Sequence, residues 1–230
     1  MAKKKDVSEE RMEAVESALS RTEQFIESNQ KIITYVVGGV IVIILLFFGY
    51  QKYILKPKEK TAQTAMFKAE YYFEKDSTDL ALFGDGESIG FLDIIDDYGS
   101  TKAGNLAKYY AGVCYLSKGE YEEAIKYLKK FSSDDMIVSG MAMGAIGDAY
   151  MHLGEQQKAA NYYMDAANNE PNEFTTPTFL LKAGWAYEAM GEWNKALTAY
   201  ERMKKDFPKA RESRDAEKYI ARAKASLGEI

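Results

Sequence analysis

The chain has 230 residues and a formal net charge of −5, with its basic residues dispersed along the sequence. This disfavours a nucleic-acid-binding protein, which needs a concentrated basic face. One cysteine and one histidine exclude an intrachain disulfide framework and argue against a zinc site. Four prolines, against seventeen tyrosines and many alanines, favour closely packed helices.

The N-terminal residues 6–31 predict a short polar helix within a cytoplasmic segment, residues 1–31. Ser8 can cap this helix, and Glu9 and Glu10 complement the dipole of its first turn. Apolar residues recur at roughly heptad spacing, at Met12, Val15, Leu19 and Ile26. Two interpretations stay open, a frayed tail and a helix that binds a membrane surface or a partner.

Residues 32–50, IITYVVGGVIVIILLFFGY, carry no charge and predict a transmembrane anchor. As a helix they would extend roughly 28 Å, close to the thickness of a bilayer core. Lys31 and Lys52 bracket the run, and tyrosines lie at its ends, where interfacial aromatic residues are common: Tyr35, Tyr50 and Tyr53. A buried core helix is disfavoured because the run is apolar on every face.

The anchor is predicted to remain uncleaved and to pass the membrane once. Seven acidic residues precede it and no small-x-small pattern follows it, unlike a signal peptide. Residues 1–31 carry six Lys or Arg and residues 51–70 carry five, so charge favours a cytoplasmic N-terminus only slightly. Thr34 and Gly38 form a small-xxx-small face for packing against another membrane helix.

After a predicted linker at 51–60, broken at Lys56-Pro57-Lys58, residues 61–230 form a domain with internal repeats. Three stretches echo one another: GVCYLSKGEYEEAIKYL, GDAYMHLGEQQKAANYY and GWAYEAMGEWNKALTAY. Equivalent positions hold Gly112, Gly147 and Gly184, then Tyr115, Tyr150 and Tyr187, then Gly119, Gly154 and Gly191, and finally Ala124, Ala159 and Ala196. The second and third copies also share Pro171 and Pro208.

This pattern resembles the tetratricopeptide repeat, a pair of helices in about 34 residues. The first glycine would allow close helix approach, the tyrosine would fill the space between the two helices, and the second glycine would end the first helix at positive φ. The alanine would pack the second helix, and the proline would stop it. The chain departs from the repeat pattern in two places. The Trp that is usual near the start of the first helix is replaced by Lys108, Met143 and Leu180, and the first copy has Ser132 to Asp135 in place of the terminal proline.

The expected fold is therefore all-α, an anchor followed by a repeat solenoid of about four helix pairs and a capping helix. The first pair is degenerate, with a first helix over 61–75 whose Phe67, Tyr71 and Tyr72 face inward. Its second helix would be GESIGFLDIIDDYGS, after an insertion around DSTDLALFGDG. The capping helix spans 210–227, with Ala216, Tyr219, Ile220 and Ala223 on its apolar face.

The sequence predicts neither catalysis nor a cofactor or metal. Cys114 lies within a helix without a nearby cation and is predicted to be a packed structural residue, and His152 a residue of a last helical turn. Asp93, Asp96 and Asp97 are predicted to form a solvated face, and Phe83-Gly84-Asp85-Gly86 lacks the ligand spacing of a calcium loop. The chain contains no phosphate-binding loop and no Ser/His/Asp set.

Stacked repeats place their first helices along a concave face, which is predicted to bind a partner. The residues predicted to line this groove are Leu106, Tyr109, Val113, Leu116, Met141, Gly144, Asp148, Met151, Leu181, Trp185 and Glu188. Some members of the repeat class clamp a peptide carboxylate with Lys and Asn. The matching positions here hold Val113, Asp148 and Trp185, so no such clamp is expected. A groove filled by the chain's own helices remains the alternative.

The whole layout resembles the YfgM-like family of ancillary subunits of the SecYEG translocon. The stretches that carry this resemblance are YFEKDSTDLAL, GFLDIIDDYGSTKAGNLAKYYAGVCYL and NEFTTPTFLLKAGWAYE. The resemblance implies a bacterial inner-membrane protein whose repeat domain lies in the periplasm, beside SecYEG and a chaperone of the PpiD type. It implies that the repeats hold the chaperone or an emerging polypeptide. The alternative is an envelope adaptor for cell division, wall synthesis or outer-membrane assembly.

Overall fold

The computed structural model describes residues 25–229, and all regular elements among them are helical. Most of the helix predicted over residues 6–31, including Ser8 and the heptad positions before Ile26, lies outside the described residues. The chain divides into two compact units, Met1–Pro57 and Lys58–Ile230.

The first unit contains α1, Gln30–Tyr50, whose large apolar side chains are exposed except for the half-buried Ile33. Within the described residues, one helix is long and apolar enough to cross a membrane, and its most apolar window has a mean hydropathy of 2.7. A helix in water would cover such side chains with other parts of its chain. Length, composition and exposure together agree with the predicted anchor over residues 32–50.

Residues 56–58 are helical, where the sequence predicts a break, and the boundary between the two units falls at Pro57. A π-type turn, Gln51–Leu55, is followed directly by α2, Lys56–Glu74. The N–H of Lys56 donates to the carbonyl of Gln51 in this wider turn. Pro57 lacks the N–H that a regular ladder needs and its ring crowds the preceding turn, which is where the π-type turn lies.

The second unit is a succession of antiparallel helix pairs closed by a terminal helix. The predicted first pair corresponds to α2 and α4, Phe91–Tyr98, with a short helix α3, Thr78–Phe83, between them, and buried residues of all three helices share one apolar cluster. Three regular pairs follow and then a 3₁₀ turn, Glu212–Asp215, and α11. Their bounds are α5 Lys102–Lys118 and α6 Tyr121–Leu128, α7 Met136–His152 and α8 Gln156–Asn168, α9 Thr176–Ala189 and α10 Trp193–Asp206, and α11 Ala216–Leu227.

The buried face of α2 differs from the predicted one. Phe67 and Tyr71 are exposed and Tyr72 is half-buried, whereas Ala62, Met66 and Ala69 are buried. Small residues let the neighbouring helices approach more closely than a row of aromatic rings would allow. The predicted insertion forms α3, which buries Ala81 and Leu82, and the second helix begins at Phe91 rather than near Gly86.

The glycines that end the first helices adopt the same conformation in all three regular pairs. Gly119, Gly154 and Gly191 have φ values of 78°, 73° and 73°, a region that glycine occupies without steric cost. In each case the N–H of the following glutamate donates to the carbonyl of the repeat's tyrosine, five residues back. This pairing is the Schellman motif and confirms the predicted helix ends.

The small residues of the repeats lie where the two helices of each pair touch. A Cβ atom on Gly112 would lie 2.5 Å from Leu128 Cγ, and one on Gly147 would lie 2.6 Å from Tyr163 Cε1. The alanines of the second helices, Ala124, Ala159 and Ala196, are fully buried. Tyr115 and Tyr150 are buried and Tyr187 is half-buried. The second helices of the last two pairs end before Pro171 and Pro208, as predicted.

The core of the second unit consists of two apolar clusters. The N-terminal cluster extends from Ala62 to Ala124, and the C-terminal cluster extends from Ile125 to Ile220. Leu116 packs against both. The terminal helix α11 contributes Ala216 and Ile220 to the larger cluster and also buries Ala223, so it covers the open end of the solenoid as expected.

Candidate partner-binding cleft

A cleft of about 380 Å³ lies where α5, α7 and α9 meet. The structure brings six of the predicted groove residues together here: Tyr109, Val113, Leu116, Met141, Asp148 and Gly144. Gly144 carries no side chain, and the ring of Phe179 from the next repeat packs directly over it. The first helices of the three regular pairs therefore line one largely apolar cleft.

The two ionic side chains that line the cleft, Asp148 and Lys182, are bound to each other. Lys182 Nζ donates to both carboxylate oxygens of Asp148 at 2.8 Å, and the Tyr163 hydroxyl donates to Asp148 Oδ1 at 2.6 Å. Burial, together with the neighbouring Asp148 carboxylate, raises the pKa of Tyr163 well above its ordinary range. Because the tyrosine stays protonated as a donor, the carboxylate keeps three hydrogen bonds and both charges at the cleft are paired.

Phe174 stands at the rim of the cleft with 78% of its surface exposed, and the sequence pattern did not identify it. The loop before α9 holds it in place, because Asn172 Oδ1 accepts from the N–H groups of Phe174 and Thr175, each at 2.9 Å. Thr175 and Thr176 are buried behind it. The signal in the sequence is an aromatic residue two positions after an asparagine, within a loop that otherwise predicts only a turn.

The remaining predicted groove residues lie outside the cleft. Leu181 is buried in the core, and Met151 is half-buried against it. Leu106 borders a separate depression of about 500 Å³ near Ser132, where Asn105 Nδ2 donates to the Ser132 carbonyl at 2.7 Å. These positions follow the repeat spacing, but the rotation of each helix turns them away from the shared space.

The terminal helix covers the third-repeat part of the predicted groove. Arg222 of α11 pairs with Glu188 at 2.7 Å. The rings of Trp185 and Tyr219 meet edge to face with centroids 6.3 Å apart. The chain's own helix therefore occupies the predicted groove at Glu188, Trp185 keeps 43% of its surface exposed, and the open cleft lies farther toward the N-terminus.

Burial, ring stacking or local hydrogen bonds engage the residues that the sequence analysis weighed for catalysis or metal binding. Cys114 is fully buried, and burial raises the pKa of its thiol to about 12. His152 stacks on Tyr121 with centroids 4.6 Å apart. Asp85 Oδ1 accepts from the N–H groups of Glu87 and Ser88 in its own loop. Residues 25–229 contain no cluster of three or more groups suited to a metal ion, and this includes the helix that carries Asp93, Asp96 and Asp97.

In α1, Thr34 and Gly38 lie one turn apart on the same helix face. The Thr34 hydroxyl donates to the carbonyl of Gln30 at 2.8 Å, which satisfies it within the helix. No atom approaches within 4 Å of the position that a Gly38 Cβ would occupy. The face is therefore flat and open, the shape that close packing of membrane helices requires.

Comparison with known proteins identifies the repeats. Tetratricopeptide-repeat models match residues 106–134, 142–173 and 179–210, which correspond to the three regular helix pairs. The first, degenerate pair lies outside the matched residues. No curated protein sequence matches the chain.

Solved structures of other proteins share this fold. A crystal structure of MamA protein has a TM-score of 0.55 and 22% identity, over 74% of this chain and 84% of that chain. A crystal structure of nearly identical TPR-like repeats of a putative kinesin light chain from Podosopora anserina has a TM-score of 0.54 and 13% identity, over 72% of this chain and 86% of that chain. No enzymatic family is indicated by these comparisons.

Proposed function

Since the second unit is a tetratricopeptide-repeat solenoid, a fold that presents concave surfaces to protein partners, we propose that the protein is a non-catalytic scaffold anchored in the bacterial inner membrane. The N-terminus lies in the cytoplasm and the repeats lie in the periplasm. The scaffold associates with the SecYEG translocon and holds a chaperone of the PpiD type or an emerging polypeptide. The observation that carries the proposal is the open apolar cleft on the concave face.

The anchor supports the proposal because its face at Thr34 and Gly38 can pack closely against another membrane helix. Packing of helices in lipid depends on small residues that let backbones approach, since lipid tails are as apolar as the side chains. The first test is co-purification of the tagged full-length protein in mild detergent, followed by mass spectrometry. We expect SecY, SecE and SecG with a periplasmic chaperone.

A matched pair of variants tests the role of the anchor face. Gly38→Leu fills the small-residue face and should reduce recovery of the translocon several-fold. Gly39→Leu adds the same side chain to the same helix, about 100° around its axis, and should leave recovery unchanged. Both glycines are free of contacts within 4 Å, so neither variant disturbs the fold of the described residues.

The topology is tested separately with reporter fusions that are active only in the periplasm, placed after Ile230. Activity of the fusion supports a periplasmic repeat domain, and its absence contradicts the orientation. Recovery of division, wall-synthesis or outer-membrane assembly proteins without the translocon would contradict the Sec association and favour an adaptor for that machinery.

A further inference from the structure

We infer that the cleft between α5, α7 and α9 binds a polypeptide segment through one large uncharged side chain, aliphatic or aromatic, which Phe174 contacts from the rim. This inference rests on the proposed scaffold function, because it specifies what the concave face takes from its partner. It assigns the binding energy to the cleft, a short part of the face formed by the first helices, and to Phe174, which the repeat pattern does not identify.

The size of the cleft sets the first limit on the occupant. At about 380 Å³ it lies at the lower end of the roughly 300–1,000 Å³ that ligand pockets span, which suits one or two side chains rather than a helix or a folded surface. Val113, Leu116, Met141 and Phe179 supply apolar walls from three helices. Met141 is also exposed, and its flexible side chain can adapt to aliphatic or aromatic occupants.

The charges set the second limit. Asp148 already accepts hydrogen bonds from Lys182 and Tyr163, so an arriving cation would have to displace Lys182. An arriving carboxylate would face Asp148 and would have to take Lys182 from it. Either displacement leaves a partly desolvated charge without its partner, which is costly. An uncharged apolar side chain leaves the pair intact, and the electrostatics of the cleft therefore complement a neutral occupant.

The loop before α9 makes Phe174 ready to bind. A phenyl ring that is 78% exposed gains nothing from the fold and costs free energy in water. Yet its backbone is fixed by Asn172 and its loop is anchored by the buried residues Thr175 to Pro177. A residue whose backbone is fixed before binding loses less conformational entropy when a partner arrives, and aromatic anchors carry much of the affinity of protein interfaces.

Binding of model peptides to the full-length protein in nanodiscs tests the inference. Fluorescein-labelled Gly/Ser peptides that differ only at one central residue are titrated and followed by fluorescence anisotropy. We expect the peptides with central Phe and Leu to bind, and those with Ala, Lys or Glu to bind at least about tenfold more weakly. Phe174→Ala should weaken the Phe peptide about tenfold. The matched control is Phe67→Ala, which removes an equally exposed ring, 75% accessible, outside the cleft.

A variant that should bind one peptide more tightly provides a second test, which does not depend on a loss of affinity. Lys182→Met keeps the length of the side chain but frees the Asp148 carboxylate, so the peptide with central Lys should bind about tenfold more tightly than to the unaltered protein. Thermal unfolding of each variant verifies that the repeats remain folded.

Three outcomes would overturn the inference: binding that is independent of the central residue, unchanged affinity in Phe174→Ala, or no binding of the Phe peptide up to about 1 mM. If these occur while the translocon still co-purifies, the scaffold proposal stands and the cleft specificity fails. If the Phe peptide binds as expected but the translocon is not recovered, the cleft specificity stands and the association with SecYEG fails.

Discussion

The contact between Gly147 and Tyr163 predicts that a single methyl group will destabilise the repeats. An alanine Cβ at position 147 would lie 2.6, 2.7 and 3.1 Å from three atoms of the Tyr163 ring. The ring cannot swing aside, because it is buried and its hydroxyl donates to Asp148. Overpacking of this kind costs about 3 kcal/mol at the upper end of its usual range, and the higher helix propensity of alanine offsets about 1 kcal/mol. Gly147→Ala should therefore lose about 2 kcal/mol.

Gly140 in the same helix supplies the matched control. A Cβ there would meet its nearest neighbours, Thr175 Oγ1 and the carbonyl of Ala166, at 3.6 and 3.8 Å, which are ordinary contacts. Gly140→Ala should therefore gain about 1 kcal/mol from helix propensity alone. Both substitutions replace a buried glycine of α7 with alanine, so they differ only in the space available.

Thermal unfolding of the full-length protein in detergent, followed by far-UV circular dichroism, measures both effects. At roughly 2–4 °C per kcal/mol for a chain of this size, Gly147→Ala should lower the Tm by about 4–8 °C and Gly140→Ala should raise it by about 2–4 °C. If the two variants shift the Tm in the same direction, close approach at Gly147 does not govern the stability of the pair, and the reasoning is wrong.

Three further predictions concern a helix end, a cap and the buried thiol. Gly191→Ala forces alanine to a φ near 73° and should cost about 1–2 kcal/mol, whereas Gly191→Asn should cost less because asparagine tolerates this region; urea unfolding midpoints compare the two. Glu59 Oε2 accepts from the N–H groups of Lys102 and Ala103 at 2.7 and 3.4 Å, so Glu59→Ala should cost about 1 kcal/mol, and a Glu59→Gln variant should recover part of it. Burial raises the pKa of the Cys114 thiol from 9.0 to about 12. The stability that the buried thiol contributes is therefore complete below pH 9.0 and is lost as the pH rises toward 12. Over this range the unfolding midpoint should fall more steeply for the native protein than for Cys114→Ala, and parallel curves would contradict the assignment.

The repeats could be predicted because each residue of the repeat pattern is needed for one local structural reason. Gly119, Gly154 and Gly191 are needed for positive φ, and Gly147 is needed for close helix approach, so a short sequence pattern determines both the helix ends and the pairing. The anchor could be predicted equally well, because nineteen residues without charge leave few alternatives to a helix that can span a membrane. These features depend on neighbours within about one repeat.

The first helix pair and the cleft were harder to predict because they depend on rotation about the helix axis. In α2 the most apolar side chains, Phe67 and Tyr71, face outward, and small residues such as Ala62 and Ala69 face the core. Hydrophobicity alone therefore selected the wrong face. Repeat spacing likewise predicted that Leu181 lines the groove, although its side chain is buried in the core. Phe174 lies in a loop, where the helical repeat makes no prediction at all.

The division of the core into two apolar clusters has a mechanical consequence for the second unit. The clusters are separated between Ala124 and Ile125 in α6, and Leu116 packs against both. Bending a solenoid costs least where the fewest buried side chains must slide past one another, so strain should concentrate at this junction. The cleft lies next to it, because Leu116, which packs against both clusters, lines one of its walls. A partner that fills the cleft would therefore restrict bending at this junction, and its release would allow the bending again.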